Sequence, residues 1–355
     1  MTLGMEELAF LLPDELSATR PPESRGLERD QVRLMVADAA TLTHARFREL
    51  PTFLLPGDLV VVNNSAMINA AVDAHYNGDA AVLHFSTWLD DGDWVVELRD
   101  PAGVPWRREG PEPGARVHLP ADHLAELRRP WLPDSDRLWV AHITGTGGSA
   151  ASGAGAEVRA LLAQHGRPVT YSYVAERWSA SYYRTVFGLI PGSAEMPSAG
   201  RPFTEALVTE LVAGGVGFAP ITLHTGVSSP EAGEPPSPER FAVPEMTARL
   251  VNATRAAGGR VVAVGTTVTR ALESAVGVDG SVRAVAGWTD LVLDGSRPAR
   301  AVDGLITGWH APGASHLHLL ESVAGPRVVR EAYRVALESG YLWHEFGDSA
   351  LLFRD

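Results

Sequence analysis

The stretch Gly57-Asp58-Leu59-Val60-Val61-Val62-Asn63-Asn64 places a turn directly before a continuous run of apolar residues. An uninterrupted apolar run of this kind is typical of a strand that is buried on both faces, as in α/β sheets. The two asparagines at its end predict the point where the strand stops and the chain turns. We therefore expect this segment to be a buried strand of an α/β sheet.

The second half of the chain alternates between helical and strand-like patterns. The periodicity predicts helices within 204–215, 244–259, 269–276 and 328–340, and strands within 217–226 and 260–267. Such alternation builds a mostly parallel sheet with flanking helices. The fold class predicted for the chain is therefore α/β.

The middle of the chain has a different sequence pattern. Short β-rich pieces, separated by Gly, Pro and Asp turns, occupy 80–89, 93–100, 115–120 and 137–144. This spacing indicates a small antiparallel barrel or sandwich. We predict an inserted antiparallel β-barrel domain at 71–166, which separates a first part (1–70) from a second part (167–355) of the α/β domain.

A glycine-rich stretch, Gly145–Gly155, precedes a helical pattern and superficially imitates a dinucleotide-binding turn. The fingerprint G-x-G-x-x-G is incomplete, because Ala150 stands where the third glycine belongs. We therefore favour a flexible loop at this place.

The composition excludes several kinds of chemistry. The chain has no cysteine, so disulfides, thiolate catalysis and cysteine-bound metals are excluded. All 30 basic residues are arginine, so Schiff-base and P-loop lysines are excluded as well. We expect no metal.

The formal net charge of −13 argues against a broad nucleic-acid surface, although a local basic patch remains open. The arginines that would form such a patch, with solvated surface as the alternative, are Arg20, Arg25, Arg29, Arg33, Arg107, Arg108, Arg128 and Arg129. The first residues lack the pattern of a secretory signal, and no apolar run is long enough to span a membrane. We expect a soluble cytoplasmic protein, a monomer or homodimer, without a membrane partner.

Ligands of open α/β sheets bind where strands end, and two strand ends carry suitable side chains. His224 follows Thr222 just before a glycine and is a candidate acid, base or hydrogen-bond partner. Gly265, Thr266 and Thr267 lead into a helix, whose free amides would suit a carboxylate. The alternatives are a structural histidine and an ordinary helix cap.

Three further loops carry candidate residues. Trp309 and His310 lie on a loop shaped by proline and glycine, where the indole would stack on a base or simply belong to the core. Ser198 lies on a loop before a helix, and Asp348 lies on a turn where it would bind a ribose or an amine, or cap the turn. These residues by themselves indicate a two-domain α/β enzyme that binds a small ligand.

The same segments resemble, in the same order, the S-adenosylmethionine:tRNA ribosyltransferase-isomerase family of queuosine biosynthesis. The similar segments are 10–34, 42–47, Pro56–Asn64, Tyr183–Phe187, Pro197–Gly200, Thr222–Gly226, Ala263–Ser274, His310–Ser315 and Gly347–Asp348. The resemblance implies an α/β domain with an inserted barrel, which agrees with the organisation predicted from the residues.

The resemblance also implies a reaction. S-adenosylmethionine would donate its ribosyl group to the 7-aminomethyl-7-deazaguanine base of tRNA, giving epoxyqueuosine, adenine and methionine. A base would remove a proton from the 5′ carbon beside the sulfonium. S-adenosylmethionine would be the co-substrate, and no further cofactor is implied.

The candidate site residues come from these segments, apart from Trp309, which comes from the loop pattern described above. The catalytic candidates are His224, His310 and Asp348. The candidates for binding S-adenosylmethionine are Asn63, Asn64, Ser198, Gly200, Thr222, Gly265, Thr266, Thr267, Arg270 and Trp309.

The chain departs from the family pattern on the side of the acceptor. Ser65–Ala71 lacks two arginines of the family, Arg201–Phe203 lacks a histidine, and the stretch after Gly226 is replaced by a proline-rich one. These losses weaken the expected contact with tRNA. A ribosyltransferase or lyase with a non-tRNA acceptor and a non-catalytic S-adenosylmethionine-binding protein are the alternatives.

Overall fold

The computed structural model describes residues 10–106, 110–132, 135–145, 154–170, 173–174, 176–227 and 237–354. Most of the glycine-rich stretch, at 146–153, lies outside the described residues, as do Arg107 and Arg108.

The described chain contains strands in both halves. They are β1 (Arg33–Ala37), β2 (Leu42–Arg46), β3 (Leu59–Asn63), β4 (Ser65–Met67), β5 (Ala71–Tyr76), β6 (Asp79–Trp88), β7 (Trp94–Arg99), β8 (Ala115–His118), β9 (Leu124–Leu132), β10 (Ser135–Thr144), β11 (Gly166–Arg167), β12 (Ile190–Ser193), β13 (Gly217–His224), β14 (Glu239–Val243), β15 (Val261–Val264), β16 (Val285–Thr289), β17 (Gly304–Gly308) and β18 (Ser349–Phe353).

The α-helices lie mostly in the second half. They are α1 (Ala154–His165), α2 (Glu205–Ala213), α3 (Glu245–Ala256), α4 (Thr266–Ser274), α5 (His316–Ala324) and α6 (Pro326–Glu338). Short 3-10 helices lie at Asp14–Leu16, Pro22–Arg25, Arg29–Gln31, Phe47–Thr52, Ala180–Tyr183 and Ser198–Gly200.

The large sheet has nine strands in the order β16-β14-β13-β3-β15-β17-β18-β1-β2. The four central strands, β13, β3, β15 and β17, run parallel to one another. Strand β3, which contains the apolar run 59–62, lies inside this group, and all five of its residues are buried. The α/β class and the buried strand are confirmed.

The prediction of a mostly parallel sheet is wrong in one respect, because the sheet is mixed. Strand β18 pairs antiparallel with β17, and β14 pairs antiparallel with β13 and β16. Two helices, α5 and α6, connect β17 to β18, whereas the sequence pattern indicated only α6. The first of these helices carries the chain back along the sheet, and the second returns it to the edge where β17 ended. Strand β18 therefore starts at that edge and runs antiparallel to β17.

The predicted antiparallel barrel is confirmed. Strands β5 to β10 pair in the order β5-β6-β7-β10-β9-β8, and β8 pairs back with β5 at His118 and His75, which closes the ring. Its interior is filled by a core of its own, including Val72, Phe85 and Trp139. The predicted domain boundaries after residues 70 and 166 stay predictions.

The apolar run of β3 serves two cores because successive side chains of a strand point to opposite faces. Val61 packs in the core that also contains residues of α3, α4, α5 and α6. Val60 and Val62 pack in the core that contains Leu207 and Leu211 of α2. A strand between two apolar layers has no polar face, which explains its unbroken apolar sequence.

Helix α4 is tied to the loop before β17 by a buried carboxylate. The side chain of Glu273 accepts hydrogen bonds from the backbone N–H groups of Arg300 (2.8 and 2.9 Å) and Ala301 (2.7 Å). Glu273 is 4% exposed and Ala301 is fully buried. This contact fixes the end of α4 relative to the loop that leads into β17.

We expect Glu273→Ala to lower the free energy of unfolding by roughly 2–4 kcal/mol, because it leaves two backbone donors without an acceptor and opens a cavity. Glu273→Gln keeps an acceptor oxygen and is expected to lose less than half as much. Chemical denaturation of both variants measures the difference. Equal losses in the two variants would contradict the proposed role of the acceptor.

No helix in the described part of the chain combines the length and apolar character needed to cross a membrane.

Candidate active site

A cleft lies at the carboxyl edge of the parallel strands, where ligands of α/β sheets bind. Its walls come from the ends of β15 and β17, the first residues of α4, the loop 195–199 and the turn at His344 and Glu345. Of the residues predicted from the sequence, those that line it are Ser198, Gly265, Thr266, Thr267, Trp309 and His310.

The start of α4 forms one wall. Gly265 precedes the helix with φ 94° and ψ 160°, a backbone conformation that residues other than glycine rarely adopt. A Cβ atom there would lie 3.3 Å from the Cβ of Ala199 across the cleft. The first N–H groups of an α-helix have no intrahelical acceptor, so this wall favours an anion. Thr266 and Thr267 add two hydroxyl groups beside these amides.

His310 also lines the cleft and is held by several contacts. Its Nε2 lies 3.0 Å from the hydroxyl of Thr307, and its ring stacks on that of His316 at a centroid distance of 4.7 Å. The backbone N–H of His310 donates to the Tyr333 hydroxyl, and its carbonyl accepts from Trp343 Nε1. The imidazole is therefore fixed in place at the cleft wall.

Burial lowers the pKa of His310 well below its ordinary value, and the neighbouring His316 and His344 lower it further. Burial also lowers the pKa of His316 to about 4, with a smaller effect from Arg270. Both imidazoles are neutral at pH 7, so each has a nitrogen that can accept a proton.

A carboxylate cluster completes the cleft. The hydroxyl of Tyr173 donates a short hydrogen bond to Glu345, and the Tyr173 ring stacks on His344 at 4.3 Å. His344 has φ 72°, which is rare for a side chain of this size and turns the chain sharply before Glu345. Glu195 lines the same space.

Burial raises the pKa of Glu345 to about 7, the Tyr173 hydrogen bond opposes this shift, and the charge of Glu195 adds to it. No arginine is among the described residues that line the cleft, so the two glutamates set its charge. A cleft with two carboxylates, neutral imidazoles and a helix start is suited to a ligand that carries both cationic and anionic groups.

His224 lies beside the cleft, and Thr225, not His224, is the lining residue of this strand end. Its Nδ1 lies 2.8 Å from the hydroxyl of Ser65, which in turn lies 2.6 Å from that of Ser193. Gly192 lies under the ring, where a Cβ atom would be 2.5 Å from Nδ1. Burial lowers the pKa of His224, and Arg240 adds a smaller effect.

Asp348 is not among the residues that line the cleft. Its two carboxylate oxygens accept hydrogen bonds from the backbone N–H groups of Arg33 and Leu342, each at 2.8 Å. Burial raises its pKa, and these two hydrogen bonds oppose the shift. Asp348 thus connects the turn that carries Glu345 to strand β1.

Both asparagines at the end of β3 join this strand to β13. The amide of Asn63 donates to the carbonyl of Leu223 at 2.8 Å and accepts from the Leu223 N–H at 3.0 Å. Asn64 accepts a hydrogen bond from the hydroxyl of Thr222 at 2.7 Å. These residues hold the end of β3 to β13 and are not among the residues that line the cleft.

Three other predicted residues are also buried. Arg270 forms a short ion pair with Glu239 and donates to the carbonyl of Leu291 at 3.1 Å. Gly200 ends the 3-10 turn that carries Ser198. The Trp309 indole is 2% exposed and packs edge-on against Tyr333, which is the core position that the sequence left open as an alternative.

Sequence reasoning missed Glu195, Tyr173, His316, His344 and Glu345. Glu195 begins a loop that the sequence singled out only for its later residues, and Glu345 directly precedes the turn that contains Asp348. A search for acidic residues next to candidate turns would have found both glutamates. Among the described residues, no group of three acidic or histidine side chains is arranged to hold a metal ion.

Comparison with known proteins gives a full-length match. A family model described as queuosine biosynthesis protein matches residues 5–352. An S-adenosylmethionine:tRNA ribosyltransferase-isomerase of Moorella thermoacetica is 33% identical over 99% of this chain and 100% of its own. One of the same name from Rubrobacter xylanophilus is 36% identical over 98% of this chain and 97% of its own.

A solved structure is also similar. The crystal structure of an S-adenosylmethionine tRNA ribosyltransferase from Thermotoga maritima has a TM-score of 0.54 and 28% sequence identity. The alignment covers 98% of this chain and 99% of that one.

Proposed function

Because this chain belongs to the queuosine biosynthesis family of S-adenosylmethionine:tRNA ribosyltransferase-isomerases, we propose that it transfers and isomerises the ribosyl group of S-adenosylmethionine onto tRNA. The acceptor is the 7-aminomethyl-7-deazaguanine base, the product is epoxyqueuosine, and adenine and methionine are released. The match to these enzymes over nearly the whole chain carries the proposal.

The charges of the cleft support binding of the donor. The methionine carboxylate of S-adenosylmethionine binds at the start of α4, where Thr266 and Thr267 supply amides and hydroxyls. The sulfonium and ammonium cations are balanced by Glu195 and Glu345, which line the same cleft. Neutral His310 and His316 add no competing positive charge.

His310 is the base that we propose for the first step. It lines the cleft and is neutral at pH 7, so it can take the proton from the 5′ carbon beside the sulfonium. Adenine is then expelled, the acceptor amine attacks the sugar, and methionine leaves as the epoxide closes. His224 does not line the cleft and contacts Ser65 beside it, and Asp348 positions the turn that carries Glu345.

The test is to incubate the purified protein with S-adenosylmethionine, with and without tRNA that carries the aminomethyl base, and to quantify adenine and methionine. Release that depends on this tRNA is expected. Release without it indicates a ribosyltransferase or lyase with another acceptor. Binding of S-adenosylmethionine without any release, in the presence or absence of this tRNA, indicates a binding protein. The last two outcomes contradict the proposal.

The proposed reaction uses S-adenosylmethionine as co-substrate and no other cofactor. It takes place in the cytoplasm, where the acceptor tRNA is found, and the protein acts as a monomer or homodimer without a membrane partner.

A further inference from the structure

Two further hollows follow one another beside the cleft, and each shares wall residues with the next. A narrow passage shares Glu195, Met196 and Glu345 with the cleft. The passage in turn shares Met67 with an open groove of about 330 Å³. The groove is thus joined to the carboxylates of the cleft by residues that line both neighbouring spaces.

The groove carries positive charge on an acidic protein. It is lined by Arg159 of α1 and by Arg184, together with the apolar side chains of Met67, Leu162 and Pro191. No acidic residue is among its described lining residues, although the chain has a formal net charge of −13. This combination fits a polymer that presents phosphates to the arginines and flat apolar surfaces to the floor.

Both arginines are available to a ligand. Arg159 and Arg184 are exposed, and neither forms an ion pair within the part of the chain that the structure describes. The Arg159 guanidinium carbon lies 5.9 Å from the ring centre of Trp88, a contact that does not itself occupy the hydrogen-bond donors of the guanidinium. Arg25 and Arg201, in contrast, are engaged: Arg25 donates to the Phe346 carbonyl and Arg201 to Glu23.

The passage is aromatic and apolar. Tyr183 and Phe346 line it with ring centres 5.3 Å apart, and Met67 and Met196 lie beside them. Aromatic side chains stack on nucleobases, which is how single-stranded RNA is commonly bound. The passage measures only about 30 Å³, and the two methionines are unbranched side chains that can change rotamer to widen it.

We propose that this groove binds the phosphate backbone of the single-stranded tRNA loop that carries the acceptor base, and that the base enters the cleft through the passage. The inference rests on the proposed function and adds the surface that receives the acceptor. Arg159 and Arg184 bind phosphates, Tyr183 and Phe346 form one apolar wall along the path of the base, and Glu345 accepts a hydrogen bond from its neutral aminomethyl group.

The test compares Arg184→Ala, Arg159→Ala and the double variant with the parent protein. Each single substitution is expected to raise KM for tRNA about tenfold, the order of a lost hydrogen bond to a charged group. Each is also expected to reduce the slope of log affinity against log salt by about 1. The affinity for S-adenosylmethionine, measured by calorimetry without tRNA, stays unchanged because the arginines do not line the cleft.

Arg249→Ala is the matched control, because this arginine of α3 is 68% exposed and does not line the groove. If the groove variants show the same KM and salt slope as Arg249→Ala, the inference is overturned. The failure of the proposed function is separate: the parent then releases no adenine in response to tRNA. Direct binding of the tRNA loop hairpin, lost on Arg184→Ala, would still support the groove.

A second variant tests the passage. Met67→Trp adds bulk where the groove and the passage meet. We expect kcat with tRNA to fall at least tenfold, while hairpin binding and S-adenosylmethionine binding are retained. An unchanged kcat, with both ligands bound normally, would show that the base takes another route.

Discussion

Replacing His310 by alanine is expected to lower the rate of adenine release by about 10²- to 10⁴-fold at saturating substrates, the range lost when a general base is removed. The affinity for S-adenosylmethionine should change little, because His310 carries no charge at pH 7 and the charged groups that hold the ligand remain. The effect therefore falls on kcat rather than on binding. Single-turnover measurements of adenine release, together with calorimetric binding, test this separation.

Two comparisons make the result specific to His310. His310→Gln keeps a polar side chain near the Thr307 hydroxyl but cannot act as a base, so it should lose nearly as much activity as the alanine variant. His224→Ala should lose much less, because His224 does not line the cleft. If His224→Ala has the larger loss, the proposed base is wrong. The low pKa of His310 further predicts that its own protonation affects the rate only well below pH 6.5.

Glu345→Gln is expected to weaken S-adenosylmethionine binding at pH 8 by at least about tenfold, since a charge-assisted contact is roughly twice as strong as a neutral one and the lost attraction lies in a partly buried site. The glutamine is similar in size to the glutamate and can still accept a hydrogen bond from Tyr173. The loss therefore reports the charge. Calorimetry across pH 5.5 to 8.5 measures it.

The pH dependence follows from the sign of the pKa shift. The pKa of Glu345 is raised to about 7 in the folded protein, above its ordinary value. Its contribution to stability is therefore present at low pH and is lost as the pH rises through about 7, where a partly buried carboxylate becomes charged. A cationic ligand reverses this loss. We expect the rise in Tm caused by S-adenosylmethionine to be larger at pH 8 than at pH 6.

The parent protein should lose affinity for S-adenosylmethionine as the pH falls below 7, because Glu345 then takes up a proton. This acid limb should be absent in Glu345→Gln. The ionisation of the ligand itself is the same in both titrations, so the difference between the two curves isolates Glu345. Identical curves would mean that Glu345 does not bind the cation.

The sequence predicted the features that depend on local patterns. The apolar run 59–62 identified a strand between two layers, and the glycine and threonines at 265–267 identified a helix start that lines the cleft. The short β-rich pieces predicted the barrel, although β5 and β9 were missed. The alternation of helix and strand patterns and the placement of glycines are set within a few residues, so they can be predicted from the sequence.

The sequence could not show which strand-end side chains point into the cleft. His224 and Asp348 both lie at the loop positions that the sequence indicated, but neither lines the cleft. His224 lies within hydrogen-bond distance of Ser65, and Asp348 accepts hydrogen bonds from two backbone amides. Glu345 is recognised as a site residue only from its hydrogen bond with Tyr173, which is distant in the sequence. The direction of β18 was predicted wrongly for the same reason. It runs antiparallel to β17 because two packed helices connect these strands, and local sequence patterns do not show such packing.

The closure of the barrel between β5 and β8 has a consequence for its dynamics. The pairing rests on one residue pair, His75 with His118, whereas β5 and β6 are paired over six residues. Local opening needs little free energy where few backbone hydrogen bonds and buried contacts must break. In deuterated water, the amides along β8 should exchange first within the barrel, while those of β6 and β7 remain protected until the whole barrel unfolds.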